Sequence, residues 1–477
     1  MRKGYLVIDV GTGNTKAAIV TCDGQIISEH VMDTNYIYED DMQCHFSPEE
    51  FWEDILHVVE QCVAEAKDIH IMSITSTSIR QGIILLDEQG KGIIGLPNID
   101  NRGAYLESRY DKEYIYNKTG KWAARYFSAF KLVAYLESHP ATSHQVKKIV
   151  SISDWIGYKF TGVLKYEHTQ ACETLLYDMA TSTWSKELCE LFDVDFALLP
   201  ELVESAAKLG CVSREYSYLF PNTGEINYIV SSADTQVAAF GIGANVGDTI
   251  IIAGTTTPII SITKDFMVDK QKRCWSNRYI YEHTYVLEVN AGVTGLNYQR
   301  FKHNCLQSYT YEALENRYAH MDKPKVLVCL STLDFATASP TNNGTIQLET
   351  PIDASLDMVD FAYGIILDIV CGIRRNLDVL ADINGIIGPI IGVGGGLRSP
   401  LMCQLIADLT QKPLLIYEGY EQGSIRGCVL TCNKYNNVAL NARKKLMTYT
   451  PKNNNWIEDY FVKWCDVREK SNESTDS

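Results

Sequence analysis

Residues 5–19 carry side chains that could hold a phosphate group. An apolar run stops at Asp9, turns through Gly-Thr-Gly and resumes as a second apolar run after Lys16. We predict a β-hairpin whose carboxylate, glycines and hydroxyls suit phosphate oxygens or a hydrated metal ion. An ordinary surface hairpin with Asp and Gly in its turn explains this segment alone equally well.

A second hairpin of the same kind favours the phosphate interpretation. In residues 248–262 another apolar run meets Gly-Thr-Thr-Thr and continues as a second strand. Gly254 stands 243 residues after Gly11, about half of the 477-residue chain. The two turns therefore resemble equivalent points of two related halves, and we expect both to face one cleft.

The elements that must position these turns alternate between strand and helix patterns, which is typical of an α/β fold. The clearest helix covers residues 47–67, with Ser47 as a predicted N-cap and Pro48 as the first helical residue. Strand-like runs follow at 71–75 and 83–86, and another precedes the glycine-rich turn at 386–393. Further helices are predicted at residues 129–138, 152–160, 184–192, 358–380 and 400–409.

Length and charge narrow the class of protein. A chain of 477 residues exceeds the limit of about 250 to 300 residues for one core, so we expect two domains, 1–244 and 245–477. The 43 basic and 59 acidic residues give a net charge of −16, which argues against a nucleic-acid or anionic-membrane partner.

No run of some 18 apolar residues is present, and the start leads directly into a strand, so a cytoplasmic protein is expected. Only residues 469–477 are polar enough to predict disorder.

Six ordered blocks make the chain resemble the FGGY family of carbohydrate kinases, within the actin, Hsp70 and hexokinase superfamily. The resemblance implies an α/β fold in which two ribonuclease H-like domains flank a catalytic cleft. It also implies a family in which homodimers are frequent, although no interface can be identified from this sequence. The blocks are DVGTGNTKAA at 9–18, NIDNRG at 98–103, SISDWIGYKFTG at 151–162, SSADTQVAAFGIGA at 231–244, AGTTTP at 253–258 and IGVGGGLRSPLMCQLIADLTQKPL at 391–414.

The implied chemistry is transfer of the γ-phosphoryl group of ATP to a hydroxyl of a small sugar or polyol, which requires positioning, a divalent cation and a base. Asp234 is the candidate base, between a strand-like run and a small-residue helical run. From the isolated sequence a helix N-cap is the better explanation of Asp234. The family block reverses that preference because it aligns Asp234 with the catalytic Asp. Asp9 is the second predicted carboxylate, orienting Mg²⁺ through water together with Asp234.

The resemblance also assigns the ATP site. Lys16 has a second explanation as a solvated hairpin charge, and both stay open. The glycine run at 392–396 is not a dinucleotide fingerprint, since Leu397 occupies the third glycine position; it is expected to let the adenosine ring approach the backbone. The predicted ATP-binding residues are Gly11, Thr12, Asn14, Thr15, Lys16, Gly254, Thr255, Thr256, Gly395, Gly396 and Arg398, with Gln404 nearby.

The acceptor site is expected on two loops that carry several polar groups, as a polyol requires. Asp100 and Arg102 have a second explanation as a structural ion pair. Many family members carry Trp where Asn98 stands, which disfavours xylulose and glycerol; the pattern at 76–90 and the 98–102 block are instead similar to autoinducer-2 kinases. A nucleotide-gated switch and a non-catalytic sugar sensor are weaker alternatives, since no peptide-binding domain or N-terminal helix-turn-helix is recognisable. The predicted acceptor residues are Arg80, Gln81, Asn98, Asp100, Arg102, Tyr126, Asp234 and Gln236.

Overall fold

The computed structural model describes residues 2–220, 224–321, 323–330, 333–334, 339–340, 343–385, 388–439 and 443–473. Its strands are β1 (Arg2–Val10), β2 (Asn14–Thr21), β3 (Ile26–Asp33), β4 (Ile37–Tyr38), β5 (Cys44–His45), β6 (Ile69–Ser78), β7 (Ile83–Leu86), β8 (Gly92–Leu96), β9 (Lys148–Ser151), β10 (Tyr166–Glu167), β11 (Tyr177–Asp178), β12 (Thr183–Trp184), β13 (Leu202–Val203), β14 (Lys208–Cys211), β15 (Asn227–Ile229), β16 (Thr249–Ile252), β17 (Thr256–Thr263), β18 (Trp275–Arg278), β19 (Tyr285–Val293), β20 (Val326–Cys329), β21 (Leu333–Asp334), β22 (Ser339–Pro340), β23 (Thr345–Leu348), β24 (Ile390–Val393), β25 (Leu414–Tyr417) and β26 (Lys445–Tyr449). The α-helices are α1 (Pro48–Glu65), α2 (Lys112–Thr119), α3 (Ser128–Ser138), α4 (Ile152–Thr161), α5 (His168–Ala171), α6 (Lys186–Phe192), α7 (Asp234–Gly241), α8 (Gly295–Cys305), α9 (Tyr311–Tyr318), α10 (Met358–Asn384), α11 (Pro400–Thr410), α12 (Gly423–Tyr435) and α13 (Asn455–Glu473).

Two mixed sheets with the same central arrangement organise the two halves. The first has the order β14-β15-β6-β1-β2-β3, and the second β18-β19-β17-β16-β24-β25-β26. In each, an antiparallel hairpin (β1-β2 or β16-β17) is flanked by an antiparallel strand on one side and a parallel strand on the other. The predicted equivalence of the two hairpins is therefore confirmed.

Helices cover these sheets where the apolar spacing predicts them. Ser47 caps α1, since its hydroxyl accepts from the amide of Glu50, and Pro48 begins the helix. The inner face of α1 packs Ile55 and Val59 into the core of the first half. The three-stranded sheet β8-β7-β9 lies beside this core and carries the loops in which acceptor residues are predicted.

Some element boundaries differ from prediction. The helix expected from residue 184 begins at Lys186, because Ser185 is its N-cap and Trp184 pairs with Tyr177 in a short hairpin. α13 continues to Glu473, so the predicted disorder is wrong for 469–473, while 474–477 lie outside the described residues. An apolar stripe that includes Trp464 holds α13 on the core. Of the strand predicted at 386–393, residues 390–393 form β24, and 386–387 lie outside the described residues.

The two halves meet where α7 crosses α12. A Cβ atom on Gly241 would lie 2.1 Å from the carbonyl oxygen of Gly423, and one on Gly427 would lie 1.9 Å from that of Val237. Only glycine permits this close backbone contact between the two helices. Within the described ranges, no helix is both long and apolar enough to cross a membrane.

Candidate active site

The first hairpin has an exposed turn, and the residue that follows the turn is buried. The amide of Gly11 donates to the carbonyl of Asn14 at 2.8 Å, which closes the turn. Residues 11–14 are partly or fully exposed, whereas Thr15 is buried with its hydroxyl 3.4 Å from that of Thr34. Thr12 is tied to the acceptor side, because Asn98 Nδ2 donates to its hydroxyl at 3.0 Å. Thr15 thus supports the turn from below, and Thr12 joins the two predicted subsites.

The second hairpin and the glycine-rich turn form one surface. Residues 254–256 are exposed, and the amide of Gly254 donates to the carbonyl of Thr256 at 3.0 Å. The amide of Gly396 donates to the carbonyl of Ala253 at 3.0 Å, directly before that turn. Gly394 has a φ of 103°, and a Cβ atom there would lie 2.3 Å from the same carbonyl. The structure therefore brings together the predicted second phosphate turn and the predicted adenosine turn.

Two residues predicted near adenosine are engaged elsewhere. Arg398 forms a bidentate pair with Glu421, both contacts being 2.9 Å, and its side chain is 65 % exposed. Gln404 Nε2 donates to Asp408 and to the carbonyl of Thr450, at 2.7 and 2.9 Å. Because these bonds use the side-chain amide of Gln404 within the fold, its role is explained by structure rather than by adenosine binding. Arg398 lies at the exposed edge of the predicted adenosine site.

Asp9 and Asp234 form the electrostatic centre of the cleft. Burial, and then the negative charge of Asp234, raise the pKa of Asp9 to about 6, against the influence of Lys16 and a hydrogen bond to Ser424. Burial also raises the pKa of Asp234, against the attraction of Arg80. Two carboxylates that repel each other beside phosphate-sized turns fit a divalent cation, whose charge would relieve the repulsion.

Asp234 is not the N-cap that its local sequence suggests. Ala233 occupies the N-cap position, Asp234 is the first residue of α7, and its carboxylate accepts from the amide of Thr235 at 2.6 Å. The side chain remains 37 % exposed, so it is accessible from the cleft. The structure therefore contradicts the capping alternative.

Buried polar residues that the sequence patterns do not reveal hold the segment before Asp234. Thr77 donates to the carbonyl of Ser232 at 2.7 Å, and the Thr169 hydroxyl accepts from the amide of Ala233 at 2.8 Å. The Thr169 hydroxyl in turn donates to Glu167 at 2.5 Å. Because these partners lie far apart in sequence, no spacing signal predicts them; only buried polarity in the fold identifies them.

Arg80 joins the two halves beside Asp234. Its guanidinium donates to Glu288 on β19 at 2.8 Å, lies 3.4 Å from Glu173, and approaches Asp234 at 3.7 Å. Both glutamate side chains are fully buried. Gln81 Nε2 also donates to Glu173 at 2.6 Å. Glu173 and Glu288 were not predicted as site residues, because they are adjacent to Arg80 only in three dimensions.

Asp100 and Arg102 form the structural ion pair that was the alternative to substrate binding. Arg102 Nε donates to Asp100 Oδ2 at 2.8 Å, and Asp100 also accepts from the amide of Cys44 at 3.0 Å. Both side chains are buried. Their contacts hold the loop after β8 to the strand pair β4-β5, so they shape the site from behind.

Gln236 and Tyr126 lie where the halves meet. Gln236 is fully buried, and its Nε2 donates to the carbonyl of Arg278 at 3.4 Å. Its Oε1 has no hydrogen-bond partner among the described residues. The Tyr126 ring packs against that of Trp275, with centroids 5.7 Å apart. Lys16 lies 3.6 Å from Glu29, and its contact with phosphate stays a prediction.

Comparisons with known proteins show the family to which this chain belongs. The model of the FGGY family of carbohydrate kinases, N-terminal domain, matches residues 4–241, and that of the C-terminal domain matches residues 279–434. The chain is 35 % identical over 442 residues to the putative sugar kinase YoaC of Bacillus subtilis (strain 168), covering 91 % of this chain and 90 % of that one. The chain therefore belongs to the FGGY family of carbohydrate kinases, and it is an ATP-dependent carbohydrate kinase.

More distant relatives differ in their substrates. The autoinducer-2 kinase of Salmonella typhimurium (strain LT2) is 25 % identical over 263 residues, which span 52 % of this chain and 49 % of that one. The crystal structure of xylulose kinase from Rhodospirillum rubrum superimposes with a TM-score of 0.86 at 17 % identity, over 99 % of this chain and 100 % of that one. The predicted two-domain fold and the family are thus confirmed. Because these relatives act on different substrates, the identity of the acceptor must be argued from the residues of the site.

Proposed function

We propose that this kinase transfers the γ-phosphoryl group of Mg²⁺-bound ATP to a hydroxyl of a small ketose or linear polyol, with dihydroxypentanedione, the autoinducer-2 precursor, as the specific candidate. The observation that carries this proposal is that the carboxylate of Asp234 acts electrostatically on the buried carboxylate of Asp9, directly before the first of two glycine- and hydroxyl-rich turns. A cytoplasmic location is part of the proposal, because ATP is the phosphoryl donor.

Asp234 is the proposed base. Asp234 is the first residue of a helix that backbone contacts hold in place, and its carboxylate is partly exposed to the cleft. Burial raises the pKa of this carboxyl group, which brings it nearer to the pH at which the enzyme works. Arg80 at 3.7 Å favours the ionised form, which is the form that can accept the proton of the attacking hydroxyl.

Asp9 is proposed to orient a hydrated Mg²⁺ at the β- and γ-phosphates. Magnesium prefers oxygen ligands and keeps several waters, so one nearby carboxylate and the phosphates suffice to hold it. The cation supplies charge neutralisation as negative charge shifts during transfer. The exposed amides and hydroxyls of residues 11–14 and 254–256 would bind the phosphates from the two sides.

A hydroxyl-rich acceptor suits the polar groups at the meeting of the halves. Gln236 Oε1 is buried and has no hydrogen-bond partner in the part of the chain that the structure describes, and it would gain a donor from a substrate hydroxyl. Gln81, Asn98 and Tyr126 are proposed to complete this subsite, while Asp100 and Arg102 support it. The similarity of residues 76–90 and 98–102 to autoinducer-2 kinases makes dihydroxypentanedione the first acceptor to test.

A coupled ADP-release assay tests the proposal, with Mg-ATP and a panel of dihydroxypentanedione, xylulose, ribulose, rhamnulose, fuculose, glycerol and erythritol. One strong responder is expected, and Asp234→Asn should lower its kcat by about 10²- to 10⁴-fold while ADP still binds. Asp378→Asn, at an exposed helix position paired with Arg374, is the matched control and should retain activity. Normal turnover by Asp234→Asn would contradict the base assignment, and ADP release without any acceptor would indicate a switch instead.

A further inference from the structure

Lys131 on α3 is a fully buried lysine whose contacts are backbone carbonyls. Its Nζ donates to the carbonyl oxygens of Gln81, Asn98 and Tyr126, at 3.0, 3.4 and 2.5 Å. An ammonium group has three donors and no acceptor, so these three bonds saturate it. The three carbonyls come from separate segments: the turn after β6, the loop after β8 and the residues before α3.

The same three residues are among those proposed to contact the acceptor. Lys131 binds their backbone oxygens, while the side chain of Gln81 donates to Glu173 and that of Tyr126 packs on Trp275. Asn98 extends the link to the first phosphate turn through its 3.0 Å bond to Thr12. One side chain thus connects three acceptor segments directly, whereas its link to the first phosphate turn is indirect and runs through the Asn98 side chain.

The backbone at Gln81 shows why such a support is needed. Gln81 has a φ of 62°, in the left-handed region that non-glycine residues seldom adopt. A strained conformation of this kind persists only where its surroundings hold it. Both Ser128 Oγ, at 3.1 Å, and Lys131 Nζ bind the carbonyl of Gln81.

The charge of Lys131 is held without a direct carboxylate contact among the described residues. Asp100 acts on it from nearby, but Asp100 is already paired with Arg102 at 2.8 Å. Cys44 and Arg102 are the other charged or titratable groups that act on it, and burial lowers the pKa of Lys131 to about 7. Burying an ammonium in this way is unfavourable unless its hydrogen bonds are complete.

We propose that Lys131 is a positioning residue that determines acceptor affinity by holding the Gln81, Asn98 and Tyr126 segments in one arrangement. The inference rests on the proposed function, because it concerns the acceptor subsite of that same cleft. It predicts that losing Lys131 impairs acceptor binding while leaving the ATP subsite, formed largely by the other half, intact.

The test is Lys131→Met, which keeps a straight side chain but removes all three donors. Steady-state kinetics are measured with dihydroxypentanedione, D-xylulose and glycerol. Each acceptor is varied at saturating Mg-ATP, and Mg-ATP is then varied at a saturating concentration of each acceptor. We expect the acceptor KM to rise about tenfold or more, because displaced segments lose hydrogen bonds to the acceptor, while the KM for ATP changes less than about twofold. Equal changes in both KM values, or none in a folded variant, would overturn the proposal.

Lys121→Met is the matched control. Lys121 is also fully buried, and its Nζ donates to the carbonyl of Ser276 at 2.7 Å, but it contacts none of the three acceptor segments. Its loss should lower the melting temperature and leave the acceptor KM within about twofold. If both variants raise the acceptor KM alike, the effect belongs to any buried lysine, and the positioning role fails.

Ser128→Ala provides a milder second variant in case Lys131→Met does not fold. It removes one of the two donors to the Gln81 carbonyl, so the acceptor KM should rise about two- to fivefold with the KM for ATP unchanged. An unchanged acceptor KM overturns the proposal. Absence of turnover by the wild-type protein with every acceptor would refute the proposed function, and this inference with it, which distinguishes the two failures.

Discussion

The two phosphate hairpins share a backbone arrangement and differ in charge. The first carries Asp9 before its turn and Lys16 after it, whereas residues 249–263 around the second contain no ionisable side chain. The first turn closes from Gly11 to Asn14, and the second closes one residue earlier, from Gly254 to Thr256. The repeated fold therefore supplies two turns that are proposed to bind phosphate, and the two proposed catalytic carboxylates, Asp9 and Asp234, both come from the first half. In this arrangement the first half would perform the chemistry, and the second half would bind nucleotide through amides and hydroxyls.

Breaking the link between the halves should have the largest effect. Arg80→Met would leave Glu173 and Glu288 buried without their cation, so we expect a loss of about 3 to 5 kcal/mol in the free energy of unfolding, measured by urea denaturation. Arg109→Met is the control, because Arg109 and Glu137 form a pair that is more than 40 % exposed and worth about 1 kcal/mol or less. A loss no larger than that of the control would show that the link is weak.

Removing the carboxylate of the first hairpin should come next. Asp9→Asn is expected to raise the Mg²⁺ concentration for half-maximal activity by about 10- to 100-fold, the range found when a group that acts on a metal indirectly is lost. Ile252→Val changes the position two residues before Gly254, as Asp9 stands two before Gly11, and should leave the Mg²⁺ requirement unchanged. Equal responses of the two variants would contradict the division between the halves.

The pH dependence of activity gives a smaller and more specific effect. Burial and Asp234 raise the pKa of Asp9 from its ordinary 3.8 to about 6, so the ionised form that can orient Mg²⁺ dominates only above that pH. Activity at limiting Mg²⁺ should therefore fall as pH decreases through about 6, and excess Mg²⁺ should move the fall to lower pH. Lys16→Met should move it to higher pH, because Lys16 lowers the pKa of Asp9. A pH profile that does not shift with excess Mg²⁺ or in the Lys16→Met variant would exclude Asp9 as the titrating group.

The smallest effect is expected at the second hairpin. Thr255→Ala removes one exposed hydroxyl but keeps the backbone amides, so the KM for ATP should rise only about two- to fivefold with kcat nearly unchanged. Steady-state kinetics with varied ATP measure both values. A fall in kcat comparable to that expected for Asp234→Asn would mean that the second half also takes part in the chemical step.

Local features of the chain were sufficient to predict both hairpins, the cap of α1 at Ser47, and the strand-to-helix setting of Asp234. These features depend on turn residues, apolar spacing and capping side chains within a few positions of one another, so sequence alone specifies them. The resemblance to FGGY kinases added the family and the expected roles of the site residues. The local signal was misleading at Asp234 itself, where the capping preference of Asp predicts an N-cap but the structure places Ala233 at the N-cap and Asp234 as the first helical residue.

Only the tertiary structure decided which charges meet. Arg80 and Glu288 are 208 residues apart and pair because the halves close on each other. Lys131 supports three acceptor segments, and Thr169 holds the amide before Asp234, through contacts that no periodicity encodes. The sequence by itself determined the elements and the residue types at their ends, because those follow from local backbone preferences. The partners of buried charges were left to the fold, because a buried charge is stabilised only by groups that packing brings within hydrogen-bonding distance.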